Sequence, residues 1–127
     1  MTRGTAGRTA VVAVVVGSLA ISAAGVANTK PPQKRRLTAN PNGQLKFDKT
    51  KLTVKHGRVK LIMKNPGSSG LSHGIAVKGM GLDKDGKIVA PGKTSSVTVT
   101  LKKGTYSFYC PVLGHAKAGM KGKITVT

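Results

Sequence analysis

Residues 45–127 constrain the fold more than any other part of the chain, because their short apolar or alternating runs are repeatedly cut by Gly, Pro, Asn or Asp. In "SSVTVTL", Val97, Val99 and Leu101 face one way and the threonines the other; in "GTYSFYC", Tyr106, Phe108 and Cys110 share a face. A period of two is that of a strand with one buried side. No segment sustains the period of a helix. Strands are expected at about Leu45–Phe47, Lys51–Lys55, Arg58–Lys64, Gly74–Val77, Lys87–Val89, Thr94–Leu101, Gly104–Tyr109 and Lys121–Val126. Between them, "HG" at His56, "NPG" at Asn65, "DKDG" at Asp83, "PG" at Pro91 and "KKG" at Lys102 have turn chemistry. The fold class is therefore all-β, an antiparallel sandwich or Greek-key β-barrel of seven to eight strands.

Upstream the texture changes twice. Residues 28–44, "NTKPPQKRRLTANPNGQ", are rich in Pro, Asn and basic residues and have no apolar periodicity, so they read as a flexible basic arm. Residues 1–27 read as a secretory signal peptide. Arg3 and Arg8 precede an uncharged apolar run from Thr9 to about Ala24, and the run closes on Gly25-Val26-Ala27. Retention of this run as a membrane anchor is the alternative, since it is only slightly shorter than the ~17–25 residues of a spanning helix. The expected product is exported, either periplasmic, at the cell surface or secreted.

Removal of residues 1–27 leaves about a hundred residues, enough for one core without disulfide staples. Cys110 is the only cysteine. In an exported protein a solitary thiol must pair between chains, lie open to oxidation or hold a metal, and the neighbours of Cys110 favour the metal. Along "YCPVLGHAKAGM", Cys110, His115 and Met120 follow one another on a segment that leaves one strand and enters the last. A thiolate, an imidazole and a thioether form a soft set that suits copper and serves magnesium or calcium poorly. A trigonal His₂Cys site with a weak axial Met needs one more imidazole, and the chain offers His56 and His73. His73 starts an apolar strand whose end could lie beside the Cys110 loop. His56 sits in a Lys-His-Gly turn and reads as a solvated residue. Met63 and Met80 read as core or loop residues.

The text "GTYSFYCPVLGHAKAGMKGKITVT", Gly104 to Thr127, resembles the C-terminal segment of the plastocyanin-azurin family of blue copper proteins, the cupredoxins. The resemblance covers roughly Leu45 to Thr127 and is strongest over its last two dozen residues. It implies a cupredoxin domain over residues 45–127 that binds one type 1 copper ion, with His73, Cys110 and His115 as equatorial ligands and Met120 as the axial one. The implied function is electron transfer, without enzymatic activity. It also implies that the His115 ring edge serves as the electron port. Tyr109 resembles the tyrosine that plastocyanins expose beside an acidic patch; here lysines are expected to surround it, and the partner's charge to be inverted accordingly.

Two departures stand out. Pro111, Val112, Leu113 and Gly114 separate Cys110 from His115, a longer loop than plastocyanins have and more like that of azurin, auracyanin or rusticyanin. Position 74 is Gly where the family often has asparagine, so a side chain that would tie the two ligand loops together is missing. The backbone amides of Gly74 and Val112 are candidate donors to the Cys110 sulfur, whereas Pro111 has none to offer.

The charge bears on partners. Twenty-two Lys and Arg against three Asp give a net charge of +19, which favours anionic partners and says nothing of fold. Nucleic acid is disfavoured by the export signal, by the scatter of lysines through every segment and by only two Tyr and two Phe for base stacking. The expected partners are redox proteins, acidic or membrane-embedded, approached by a monomer, with an anionic membrane or cell-wall surface as a further candidate. A copper chaperone or scavenger would use the same ligands, but an exposed Met- or His-rich tract is missing. A structural wall protein with a vestigial site fits poorly with four intact ligands.

Overall fold

The computed structural model describes residues 30–127, so the expected leader at 1–27 lies outside the described residues. Eight strands follow in order: β1 (Gln33–Thr38), β2 (Lys51–Val54), β3 (Gly57–Lys64), β4 (Ala76–Gly79), β5 (Leu82–Asp85), β6 (Thr94–Leu101), β7 (Gly104–Tyr109) and β8 (Lys121–Val126). The described residues contain no helix. One sheet has the order β1-β3-β6 and the other β2-β8-β7-β4-β5. This is the expected all-β sandwich.

Alternation decides which side chains meet between the sheets. In β6, Ser95, Val97, Val99 and Leu101 are buried while the intervening residues face outward. From the facing sheet, β7 contributes Tyr106 and Phe108 and β8 contributes Ile124 and Val126. Phe108 is fully buried and meets Phe47 at a ring-centroid distance of 5.7 Å with a tilt of 50°, a favourable aromatic arrangement.

The basic arm expected over residues 28–44 is corrected by the structure. Gln33–Thr38 form β1, paired in parallel with β3 from Gln33 opposite Val59 to Thr38 opposite Lys64. The strand lacks an apolar stripe because its polar side chains bond to backbone. Gln33 donates to the Lys55 carbonyl at 2.7 Å and accepts from the Lys55 amide at 2.9 Å, and the Arg35 guanidinium reaches the Thr53 carbonyl at 3.3 Å. Leu37 alone is deeply buried, worth about 1.5–3 kcal/mol. Charged residues on such an edge strand also discourage pairing with other chains.

Three smaller corrections follow. The sandwich is mixed rather than antiparallel, since β1–β3 and β2–β8 are both parallel pairs. Residues 45–47 and 87–89 make only isolated bridges, Phe47 with Ala39 and Val89 with His73. The "DKDG" text, read as a turn, mostly belongs to β5, a solvent-facing edge strand whose Asp and Lys have no apolar partner to satisfy. The reversal lies earlier, at Gly79–Gly81, where φ is 138°, 48° and 81° in turn.

Strand direction gives the sandwich two poles. At one lie the end of β7 and the starts of β4 and β8, where Tyr109 pairs with both Ala76 and Lys121. At the other, the start of β7 meets the end of β8 through Gly104 and Val126, and the start of β3 meets the end of β6 through Gly57 and Leu101.

Candidate metal centre

The first pole gathers the four residues singled out in the sequence. Cys110 follows β7 directly, so the alternation that buries Tyr106 and Phe108 also buries its thiol. His115 and Met120 belong to the loop between β7 and β8. That loop is wound into turns: the His115 amide donates to the Val112 carbonyl at 3.0 Å and the Ala118 amide to the Gly114 carbonyl at 3.1 Å. Gly114, at φ 86°, supplies the left-handed step just before His115. The residues that lengthen the loop are thereby absorbed in a turn, with Val112 packed against the core.

Backbone bonds staple the donors together. The Cys110 amide donates to the Met120 carbonyl at 3.0 Å, and the Met120 amide donates to the His115 carbonyl at 3.0 Å. His73 comes from the other side of the chain and is held by Val89: His73 N–H donates to the Val89 carbonyl at 3.1 Å, and Val89 N–H donates to the His73 carbonyl at 2.8 Å.

Cys110 Sγ lies 3.9 Å from His73 Nδ1 and 3.6 Å from His115 Nδ1. These three donor atoms all fall within 4.8 Å of one another, and the two imidazoles stand 5.2 Å apart at a tilt of 59°. The two sulfur–nitrogen separations stand at the long end for a hydrogen bond to sulfur. They lie close to the ~3.7 Å expected between a sulfur and a nitrogen bonded to one ion at about 2.3 and 2.0 Å with a wide angle. The donor set therefore fits a copper ion both in geometry and in softness. Met120 is fully buried and closes the same loop.

Burial favours neutral, proton-poor nitrogen. It holds His73 below the usual histidine range, with the neighbouring His115 adding to the effect. Burial pushes the Cys110 thiol up, opposed by the amides of Gly74 and Val112, the two donors expected from the sequence. The Gly74 amide lies 3.5 Å from Sγ. His73 Nε2 is buried without a hydrogen-bond partner, so the ring is oriented by packing and by its backbone bonds, not by an outer acceptor.

The missing side chain at position 74 has a structural cause. A Cβ there would stand 2.9 Å from the Lys87 carbonyl oxygen and 3.1 Å from the Pro111 ring. Backbone contact thus replaces the absent side chain. A second tie comes from Asn65, which sequence reasoning treated as a turn residue. It is completely buried; its Nδ2 donates to the Leu71 carbonyl at 2.8 Å and the Val89 carbonyl at 3.0 Å, and its Oδ1 accepts from Ser69 Oγ at 2.6 Å. Asn65 therefore clamps the segment leading to His73 against the segment that pairs with it. A side chain aimed inward from an "NPG" turn leaves no periodic signal in the sequence.

Two further expectations resolve differently. His56 is exposed and bonds the Thr127 carbonyl at the opposite pole, as a solvated turn residue does. The expectation that lysines alone surround Tyr109 is corrected: its hydroxyl lies 2.7 Å from Asp83 Oδ1 and 3.1 Å from Asp85 Oδ1, while Lys78 Nζ stands 4.9 Å from the ring centroid. Two of the three acidic residues of the chain thus gather at this one hydroxyl, because β5 runs beside β4 and β4 beside β7.

Comparison with known proteins agrees with this geometry. Residues 34–127 match the family model described as copper-binding proteins of the plastocyanin/azurin family. Plastocyanin of Lactuca sativa is 35% identical over 101 residues, covering 71% of this chain and 96% of that protein. The solved structure of auracyanin B superposes with a TM-score of 0.68 at 26% identity, over 79% of this chain and 92% of that one. Auracyanin A, a blue copper protein from the photosynthetic bacterium Chloroflexus aurantiacus, superposes with a TM-score of 0.63 at 26% identity, over 76% of this chain and all of that one (100%).

Proposed function

The chain belongs to the plastocyanin/azurin family of copper-binding proteins, and on that premise we propose that it carries single electrons between redox partners outside the cytoplasm, with one type 1 copper ion held by His73, Cys110, His115 and Met120. The observation that carries this reading is the convergence of His73 Nδ1, Cys110 Sγ and His115 Nδ1 within 4.8 Å. Bound there, copper supplies a one-electron couple whose potential depends on the axial ligand and on hydrogen bonds to the sulfur.

The chain's own residues supply rigidity. Asn65 and the Val89 bridge hold His73, while the Cys110–Met120–His115 backbone bonds hold the other three. Donors that stay in place as the ion changes charge reduce the rearrangement needed for each transfer. Four donors for one ion leave no open position of the kind a catalytic metal site keeps, so the protein is read as a carrier and not an enzyme.

Exchange takes place at His115. It is half-buried where His73, Cys110 and Met120 are buried, and Leu113 beside it is 97% exposed. A small apolar contact around the ring suits brief encounters, and the net charge of +19 steers the approach of an acidic or membrane-embedded partner. Residues 1–27 direct export, and the protein works as a monomer.

The test is the visible spectrum of the purified protein after addition of copper(II). An intense thiolate-to-copper band, absent in Cys110→Ser, is expected; a pale or colourless complex overturns the reading. Reversible voltammetry then distinguishes a carrier from a protein that delivers its copper.

A further inference from the structure

We propose that the pole opposite the metal centre is a docking surface for the anionic headgroup layer of a lipid bilayer, which it meets with the metal end turned away. Lys30, Lys55 and Arg58 line one open depression there. The pairing of Gly57 with Leu101 sets Lys102 and Lys103 beside it, and all five side chains are exposed. Met80 completes the surface. It occupies the β4–β5 turn with its sulfur against Gly104, is 60% exposed, and holds a left-handed φ of 48°. That conformation is unfavourable for a residue with a side chain, and here it presents an apolar tip among cations.

No Asp or Glu side chain opposes these charges. Asp48 accepts from the Thr38 amide, near the metal end, and Asp83 and Asp85 hold the Tyr109 hydroxyl. Cations around a projecting apolar residue suit a headgroup layer, which takes the charge at its surface and the apolar tip among its chains. A soluble polyanion would engage the lysines and offer nothing to Met80.

The course of the chain favours lipid as well. Residues 1–29 precede Lys30 and include the apolar run from Thr9 to Ala24. The link from Ala24 to Lys30 spans at most about 20 Å. Whenever that run lies in a bilayer, during export or permanently, this pole is the part of the domain within reach of the headgroups. The metal centre is farther away by the length of β3, an eight-residue strand of about 27 Å. The inference requires neither copper nor electron transfer, so its failure and that of the proposed function are separable.

The test uses the full-length, copper-loaded protein with vesicles of pure phosphatidylcholine or of phosphatidylcholine mixed with phosphatidylglycerol. Lysines are acetylated and the sites mapped by mass spectrometry. On the anionic vesicles Lys55, Lys102 and Lys103 should react several-fold more slowly than on neutral ones, Lys117 and Lys121 at the metal end should react equally on both, and high salt should abolish the difference. Lys102→Gln combined with Lys103→Gln should restore the reactivity of Lys55, as should Met80→Ser in part; Lys117→Gln combined with Lys121→Gln should not. Equal shielding of both poles, absence of shielding, or shielding by soluble polyphosphate but not by vesicles overturns the proposal.

Discussion

The amide of Gly74 points at the sulfur of Cys110 across 3.5 Å, and Gly74 is packed so closely that a Cβ would clash with the Lys87 carbonyl and press on the Pro111 ring. Gly74 and Pro111, the sequence neighbours of the proposed metal donors His73 and Cys110, are thus in direct contact. Gly74→Ala must push these segments apart, at about 1–3 kcal/mol for an overpacked site. The expected outcome is a lower melting temperature together with a shifted visible band in the copper-loaded protein. A band identical to wild type would show that this contact does not position the sulfur.

Asn65→Ala removes a fully buried side chain that satisfies two carbonyls and a hydroxyl. The Val89 carbonyl keeps the His73 amide, and Ser69 Oγ still donates to the Leu71 carbonyl, so the cost is that of three lost hydrogen bonds at about 0.5–1.5 kcal/mol each together with the cavity left behind. The total loss should reach several kcal/mol in urea unfolding, and copper affinity should fall because His73 loses its support. Loss of stability with unchanged copper affinity would confine Asn65 to the fold.

Met120→Leu separates packing from ligation. The site is fully buried, and a swap that conserves volume costs less than about 1.5 kcal/mol. The metal-free protein should therefore unfold almost as wild type does, while the reduction potential measured by voltammetry should change through loss of the axial thioether. An unaltered potential would remove Met120 from the ligand set.

Leu37→Ala tests whether β1 belongs to the domain. Leu37 is 1% exposed, so truncation should cost about 2–5 kcal/mol. A flexible arm would register almost nothing in the same urea titration.

The metal-free protein should have a stability window in pH. The folded-state pKa of His73 is lowered from 6.5 by burial first and His115 second, so below pH 6.5 the unfolded chain binds more protons and stability falls as pH falls. The folded-state pKa of Cys110 is raised from 9.0 by burial, so above pH 9 the folded chain keeps a proton the unfolded chain loses, and stability falls as pH rises. Melting temperature should peak between these limits, and Cys110→Ser should flatten the alkaline side.

What could be read from the sequence, and what could not, divides along physical lines. Residues 94–101, 104–109 and 121–126 were legible as strands because one face is apolar and the other is not, and the Cys110–His115–Met120 loop was legible because its rare donor types stand close in the chain. His73 was legible as the further imidazole because it begins an apolar strand, whereas His56 stands in a charged Lys-His-Gly turn, and the resemblance to a family pointed to the same residue.

β1, by contrast, is a strand by virtue of its parallel pairing with β3, with Gln33 and Arg35 tied to carbonyls of β2 and its outer turn, so it carries no alternating apolar signal and resembles coil in isolation. Asn65 and the acidic pair at Tyr109 were hidden for the same reason: their partners are remote in sequence, and only the stacking of strands brings them within hydrogen-bond distance. The sequence by itself determined the strand faces, the cationic surface and three donors on one loop. The tertiary structure alone decided that Asn65 clamps the His73 segment, what takes the place of a side chain at position 74, and which pole is left without an Asp or Glu side chain, because each of these depends on segments that only folding brings together.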